Sequence, residues 1–330
     1  MHRILDTSMP EFCVYQYMAG VEVACSKNIS MRHWMYDNYI NFSCNVKRTN
    51  EHGNICIVLP KSTIEFDKPF IECIKINKKD ILYSVFEKII HYINNGYYFY
   101  VRGIDDFYIK GKINYNTAHM NHDGMIYGYN TETCTYNLMA YDENANFGFF
   151  EISMHDFNNA WHSDFFKNEN PVLWALKPNK KTYMSKIQNI KVGLYNYIKS
   201  LPQTDEPNID VDGNDTCHSI YGISVYDIII DSINTQPSLL NNHVFRMLWE
   251  HKKFMKKRLE FLNSNPNIHL NKAIDLYSEI VDKFNMLRFL YIKFTITENY
   301  DILEKIATYI SILKSKECSI LEKVLEEIQF

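Results

Sequence analysis

Residues 118–144, AHMNHDGMIYGYNTETCTYNLMAYDEN, are the stretch from which we predict the fold. Two histidines, His119 and His122, precede an apolar and aromatic run, and a second run of the same kind ends in Asp142. Aromatic and β-branched residues favour strands, and the segment NTETCT between the two runs is typical of a hairpin turn. The stretch therefore predicts an antiparallel hairpin with polar side chains at one end.

The sequence on either side of this hairpin predicts more strands and a helix. The runs YYFYVR (97–102) and FGFFEIS (147–153) have the same strand-like composition. Residues 80–96 repeat apolar side chains at helical spacing and end in Asn-Gly, which is a common helix stop. We therefore expect the hairpin to belong to a larger antiparallel sheet that packs against this helix.

A second helix is predicted near the N-terminus, where Ser8 and Glu11 form the S-x-x-E pattern of a capping box. Apolar residues after this pattern recur at the spacing of one helical face. The helix would carry Cys13 in its second turn. Together with the sheet, it predicts an α+β domain over residues 1–155.

The second half of the chain has a different pattern. From about residue 156 onward, apolar residues recur at the spacing of long amphipathic helices. We predict an all-helical domain over 156–330 that binds substrates or a partner. Its five expected helices cover residues 184–201, 218–234, 239–262, 270–294 and 300–328.

The composition favours a cytoplasmic protein that does not bind nucleic acid. The formal charge is −4 and the pI is about 6.3, so no overall positive field attracts nucleic acid. The N-terminus lacks the apolar segment of a secretory signal, and no uninterrupted apolar run is long enough to cross a membrane. The eight cysteines are scattered without a C-x-x-C pair, which favours reduced thiols over a zinc or redox site.

Cys13, His122 and Asp142 are residue types that can support nucleophilic catalysis. A thiol near a helix N-terminus ionises more easily because backbone N–H groups stabilise the thiolate. A histidine on a strand can accept the thiol proton, and a carboxylate on the next strand can hold its second ring nitrogen. With twelve histidines and eight cysteines, such an order also arises by chance. A metal site or a structural role for the two histidines therefore stays open.

The same residues carry a resemblance to a known family. A paired-histidine segment that runs into a G-Y-[DN] strand is matched by His119, His122 and residues 128–130, the next strand ends in Asp142, and an early cysteine is matched by Cys13. In these features the chain resembles the butirosin-biosynthesis-protein-H-like family, which is similar to papain-like and C39-type cysteine peptidases and includes the amide synthase of closthioamide biosynthesis. The resemblance implies a papain-like fold with a triad of Cys13, His122 and Asp142.

The resemblance also implies an activity in natural-product biosynthesis. An acyl group would leave the phosphopantetheine thioester of an acyl or peptidyl carrier protein, rest on Cys13 and pass to an amine or a diamine, with no bound cofactor or metal. The same triad would serve a peptidase or amidase if water replaced the amine. A degenerate site would leave a non-catalytic module that binds carrier proteins. A homodimer is compatible with each of these interpretations.

Two features depart from the family pattern. Papain-like enzymes place the cysteine at the first turn of its helix, whereas a helix capped by Ser8 places Cys13 in the second turn. Either the capping pattern is accidental, or a short turn precedes a main helix that begins near Phe12. Cys25, which follows this helix, is therefore the reserve nucleophile. No glutamine precedes Cys13 to complete an oxyanion hole, for which the backbone N–H of Cys13 is one candidate donor.

Charged residues outside this constellation offer further hypotheses. Asp105 and Asp106 could bind a cationic amine, although we expect Asp106 to cap a turn. Two basic runs could dock an acidic carrier protein, although solvated helix faces explain such runs more often. These runs contain Lys177, Lys180 and Lys181, and Lys252, Lys253, Lys256, Lys257 and Arg258.

Overall fold

A computed structural model describes residues 1–49, 55–59, 61–62, 64, 68–203 and 219–328, without the side chains of residues 45–49. The strands are β1 (His2–Ile4), β2 (Ser43–Thr49), β3 (Ile55–Val58), β4 (Ile71–Asn77), β5 (Tyr98–Asp105), β6 (Asn121–Asn130), β7 (Thr135–Tyr141), β8 (Phe147–Ser153), β9 (Val172–Pro178) and β10 (Ser219–Tyr221). The helices are α1 (Gln16–Ala24), α2 (Ile29–Asn38), α3 (Val85–Asn94), α4 (Met154–Trp161), α5 (Ile187–Lys199), α6 (Val225–Thr235), α7 (Asn242–Asn263), α8 (Asn271–Thr297) and α9 (Tyr300–Glu327).

The chain forms two compact units, each built from two separate segments. The first unit comprises Met1–Met31 and Thr63–Tyr183, and the second comprises Arg32–Ser62 and Met184–Phe330. This division differs from the single boundary that we predicted at residue 155. The reason is that β9 pairs with β4 and β5, so the sheet unit continues past residue 155. The second unit is also not wholly helical, because β10 pairs with β2.

The first unit contains an antiparallel sheet in the strand order β4-β9-β5-β6-β7-β8, with β1 paired to β6. The predicted hairpin is confirmed, because β6 and β7 pair with Met125 opposite Met139. Between them, the side chain of Asn130 accepts hydrogen bonds from the backbone N–H groups of Glu132 and Thr133 and so stabilises the turn. The register brings the end of β7 alongside the start of β6.

The two faces of this sheet carry different helices, and the alternation of side chains assigns each strand residue to one face. Tyr100 and Met125 are neighbours in register and face α1, where a Cβ added to Gly20 would lie 2.8 Å from the Tyr100 ring. We call this side the α1 face. The opposite side, the α3–α4 face, carries an apolar core that includes Ile89, Ile104, Ile126, Leu138 and Phe157.

Helix α1 begins later than the sequence pattern predicts. Its first residue is Gln16, so Ser8 does not cap it and the expected capping box does not form. The backbone N–H groups of the two residues before Cys13 donate instead to the buried carboxylate of Glu22, at 2.7 and 3.2 Å. Because these tertiary bonds hold the segment outside the helix, Cys13 precedes the first turn and does not lie in the second.

The second unit contains α5 to α9 and a small sheet in the order β10-β2-β3. Four of its helices confirm the predicted helices with ends that agree within three residues. The fifth, α6, begins at Val225 because residues 219–221 form β10, and residue 218 lies outside the described residues. None of the helices in the described ranges has the length and apolarity that crossing a membrane requires.

The basic run 252–258 of α7 is not a solvated face throughout. Lys252 and Arg258 are fully buried. The Nζ of Lys252 lies 2.8 Å from the carboxylate of Glu317 and 2.6 Å from the hydroxyl of Tyr197. Arg258 donates to backbone carbonyls at the C-terminal end of α2. The proposed docking role therefore cannot include these two residues, because their charges are used inside the unit.

Candidate active site at one end of the sheet

The end of the sheet where β5 stops and β6 starts carries two histidine–aspartate pairs. Asp105 and Asp106 follow one another at the end of β5, and both are fully buried. The chain then returns with His119 and His122. The Nδ1 of His119 lies 2.7 Å from Asp105 Oδ2, and the Nδ1 of His122 lies 2.5 Å from Asp106 Oδ2. Each imidazole therefore has its own carboxylate.

The His122–Asp106 pair leaves one ring nitrogen for chemistry. The side chain of Asp106 is 1% exposed, whereas that of His122 is 39% exposed. Since a carboxylate accepts, we assign the proton of neutral His122 to Nδ1, which leaves the lone pair on Nε2. Within the described ranges Nε2 forms no hydrogen bond with the protein. An exposed imidazole oriented by a buried carboxylate can act as a general base.

Asp106 is held in place by further polar contacts. The Nζ of Lys112 lies 3.4 Å from Asp106 Oδ1, and both side chains are almost fully buried. Burial lowers the pKa of Lys112, while the charge of Asp106 opposes this shift. The side-chain amide of Asn114 lies 3.5 Å from Asp106 Oδ2. These polar groups surround the carboxylate to which His122 is bonded.

The second pair, His119 and Asp105, has a more enclosed setting. The ring of His119 is stacked between Phe107 and Phe165, with centroid separations of 4.4 and 4.6 Å. Asp105 also accepts a hydrogen bond of 2.6 Å from the hydroxyl of Ser163. The aromatic rings cover both faces of this imidazole, so the contacts favour the structural role for His119.

The two histidines have separate polar partners. Each Nδ1 is bonded to a different carboxylate, at 2.7 and 2.5 Å. Searched over the described part of the chain, histidine, cysteine, aspartate and glutamate side chains form no group of three or more suited to one metal ion.

Asp142 does not orient His122, which corrects the role that we predicted for it. Its Oδ1 accepts hydrogen bonds from the backbone N–H groups of Asn144 and Asn146, at 2.9 and 2.8 Å. These bonds close the turn between β7 and β8. Aspartate commonly binds its own backbone in this way, and the local turn therefore competes with the neighbouring strand for the carboxylate.

Cys13 lies at the same end of the sheet, on the α1 face. Its backbone carbonyl accepts a hydrogen bond of 2.6 Å from the hydroxyl of Tyr141, the last residue of β7. Tyr141 lies two residues beyond Met139, so it shares the face of Met139 and of its partner Met125. The Sγ of Cys13 lies 3.7 Å from the carbonyl oxygen of Pro10.

His122 belongs to the opposite face. Asp123 lies on the α1 face, because its carboxylate accepts a hydrogen bond of 2.8 Å from Tyr100. Its neighbour His122 is paired in register with Ile104, which is part of the core of the α3–α4 face. Adjacent strand residues point to opposite sides. The structure thus does not assemble Cys13, His122 and Asp142 as the predicted triad.

The reserve nucleophile, Cys25, has an unfavourable setting for catalysis. Its side chain is 1% exposed at the end of α1. Burial raises the pKa of this thiol to about 12, against a smaller opposing effect of Lys68. A thiol with this pKa provides little thiolate at neutral pH. Cys25 therefore does not replace Cys13 as a candidate.

Comparison with protein-family models and with curated proteins finds no match to this chain. The family resemblance consequently rests on the motif residues themselves. Of these, the structure gives His122 a setting that suits catalysis, and it gives Asp142 and Cys13 settings that differ from the expected triad.

The carboxylate that sequence reasoning missed is Asp106. We expected Asp106 to cap a turn, but Asp105 has that role, since it accepts the backbone N–H of Phe107 at 3.2 Å. The sequence feature that could have indicated this pairing is the spacing between the two aspartates and the two histidines. Asp105 precedes His119 by 14 residues and Asp106 precedes His122 by 16, and an antiparallel return of the chain brings each carboxylate to one imidazole.

Proposed function

We propose that the chain is an acyltransferase that joins an acyl group from a carrier-protein thioester to an amine, with His122 as the general base. The observation that carries the proposal is the bond between His122 Nδ1 and the buried carboxylate of Asp106, which leaves the lone pair on Nε2 of a side chain that is 39% exposed. The thioester donor and the amine acceptor come from the family resemblance. The antiparallel sheet with α1 on one face supports the papain-like arrangement that the same resemblance implies.

In the proposed reaction, the amine nitrogen attacks the thioester carbonyl carbon while His122 Nε2 takes a proton from the amine. The carbon–sulfur bond then breaks, and the proton passes from His122 to the thiolate of the phosphopantetheine arm. The products are an amide and the free carrier thiol, so the reaction balances without a cofactor. Asp106 keeps the imidazole in the tautomer that can accept the proton.

Transfer through Cys13 is the covalent form of the same reaction. In that route the thiol proton must reach His122 before the sulfur attacks the thioester. The opposite faces occupied by Cys13 and His122 favour direct transfer, because proton transfer requires contact at hydrogen-bond distance. The two routes differ in one observable species, an acyl group on Cys13.

The direct route predicts different effects of two substitutions. His122→Gln should lower the rate of amide formation by about 10²- to 10⁴-fold, because the base is lost. Cys13→Ser should leave that rate within about twofold, since the thiol takes no part in direct transfer. The measurement is single turnover with a loaded carrier protein and a panel of amines, followed by the intact masses of the enzyme and the carrier.

Other outcomes would replace this proposal with a different one. An acyl mass on a Cys13 peptide, together with lost turnover in Cys13→Ser, would establish the covalent route. Release of the free acid in the presence of every amine would show that water is the acceptor and would favour the peptidase or amidase alternative. If the wild-type protein binds the loaded carrier but leaves the thioester intact, the site is a binding module.

A further inference from the structure

A second site lies at the other end of the same sheet. It is a cleft of about 650 Å³ where β5 begins, β9 ends and the chain passes from α1 to α2. Tyr98, the first residue of β5, lines the cleft, whereas Asp106 follows the last residue of this strand. At about 3.3 Å per residue, the strand separates the cleft from the His122–Asp106 pair by roughly 20–25 Å. The two sites share no residue.

The lining of the cleft is strongly basic. One acidic side chain lines it within the described ranges, Asp6, and this carboxylate is already paired with Lys27 at 2.7 Å. The other lining cations form no ion pair with a described carboxylate. The five basic residues of the lining are Arg3, Lys27, Lys177, Lys180 and Lys181. Four cations therefore lack a described carboxylate partner, and one of them, Lys177, lies with its Nζ 5.0 Å from the centroid of the Tyr97 ring.

The shape of the cleft and its backbone also suit an anion. The lining includes residues 28–30 at the start of α2, where the Asn28 side chain accepts the backbone N–H of Ser30 at 2.9 Å. Because Asn28 already satisfies this N–H, the helix start contributes the field of its dipole, which adds to the field of the lysines. Clefts of about 300–1,000 Å³ are the size that holds ligands of nucleotide or cofactor dimensions.

We infer that this basic cleft binds a small phosphate-bearing ligand. Arginine can bind phosphate through two parallel N–H donors, and lysines add point charges around it. The lysines at 177, 180 and 181, which the sequence offered as a docking patch, instead belong to a concave site in this inference. Because the cleft lies far from His122, the inference does not depend on the proposed acyl transfer.

The test uses inorganic pyrophosphate as the probe and isothermal titration calorimetry at low salt as the measurement. We expect saturable binding that weakens as ionic strength rises, because salt screens the charges. The double variant Lys180→Ala/Lys181→Ala should bind pyrophosphate roughly tenfold more weakly or worse. The matched control, Lys272→Ala/Lys305→Ala, removes the same charge from exposed positions of α8 and α9 and should bind like the wild type.

Three results would overturn the inference. The first is an absence of pyrophosphate binding by the wild-type protein at millimolar concentration. The second is equal weakening in the cleft variant and in the control, which would mean non-specific attraction. The third is tight binding of a polyglutamate peptide without binding of pyrophosphate, which would assign the patch to an acidic protein surface. None of these results involves turnover, so the proposed function is tested separately.

Discussion

At the residue scale, the candidate site depends on which carboxylate holds His122. Asp142 lies at the end of the neighbouring strand, as expected, but it bonds to the backbone of its own turn. Asp106 is fully buried and meets the imidazole through Nδ1. A buried carboxylate with few alternatives keeps one orientation, which is what a general base requires of its partner.

Replacing each carboxylate separately distinguishes the two assignments. Asp106→Asn should lower kcat by about 10²- to 10⁴-fold, because an amide that donates to Nδ1 shifts the ring proton to Nε2. Asp142→Asn should leave kcat within about twofold, since this carboxylate does not contact the ring. The rates are measured with a loaded carrier and an amine, and the ring ¹⁵N shifts of His122 report the tautomer. Loss of turnover only in Asp142→Asn would restore the original triad.

At the element scale, local composition was enough to predict the hairpin and the long helices. Strand-forming residues on both sides of a turn specify β6 and β7, and helical periodicity specifies α7 to α9. The start of α1 and the partner of His122 depend instead on tertiary bonds. Glu22 captures backbone N–H groups ahead of α1, and Asp106 reaches His122 across a loop. The capping pattern gives no sign of Glu22, and the spacing of 16 residues between Asp106 and His122 indicates their contact only if the chain returns antiparallel to itself.

A buried arginine of α7, Arg258, connects this helix to the C-terminal end of α2. Arg258 of α7 donates to the backbone carbonyls of Tyr36 and Tyr39 at 2.8 and 2.6 Å. Carbonyls at a helix end lack partners within the helix, so a buried guanidinium satisfies them. Burial lowers the pKa of Arg258 to about 9. The arginine therefore carries a desolvation cost that its hydrogen bonds offset.

We expect Arg258→Met to reduce the free energy of unfolding by about 2–4 kcal/mol, because buried carbonyls lose a charged donor. The control Lys256→Met removes a lysine of the same helix that lies 3.5 Å from Glu260 at the surface. Exposed pairs contribute about 0–1 kcal/mol, so this change should be small. Urea unfolding followed by circular dichroism gives both values. Similar losses in the two variants would contradict the capping role.

At the scale of the whole molecule, the second unit encloses a connected set of ionisable side chains. Lys252 donates to Glu317 and to Tyr197, and its Nζ lies 3.1 Å from His251 Nδ1. The Nε2 of His251 donates to the carbonyl oxygen of Ile40 at 2.8 Å. The sequence shows only a basic helical run here, since burial of a lysine depends on aromatic and acidic partners distant in the chain.

This arrangement predicts how stability responds to acid. Burial lowers the pKa of His251 well below 6.5, and the charge of Lys252 adds to the shift. Below about pH 6.5 the unfolded chain takes up a proton at this histidine and the folded chain does not. The free energy of unfolding therefore decreases as the pH decreases. His251 can lower the free energy of unfolding by at most about 1.4 kcal/mol for each unit by which the pH decreases.

Urea unfolding at pH 7.5, 6.5 and 5.5 measures this dependence. His251→Gln keeps a donor for Ile40 and should reduce the loss of stability between pH 6.5 and 5.5. The exposed control His155→Gln, on α4, should retain the wild-type dependence. An unchanged slope in His251→Gln would mean that other groups cause the acid sensitivity.

The interleaving of the two units has a consequence for synthesis on the ribosome. Once residue 183 has emerged, every segment of the sheet unit exists, and its antiparallel pairings can form. Residues 32–62 emerge early as well, yet β2 pairs with a strand at 219–221 that is translated much later. At about 5–20 residues per second, this segment waits for about 8–30 s with apolar side chains uncovered. Nascent chains of this protein are therefore expected to engage chaperones through residues 32–62 during that interval.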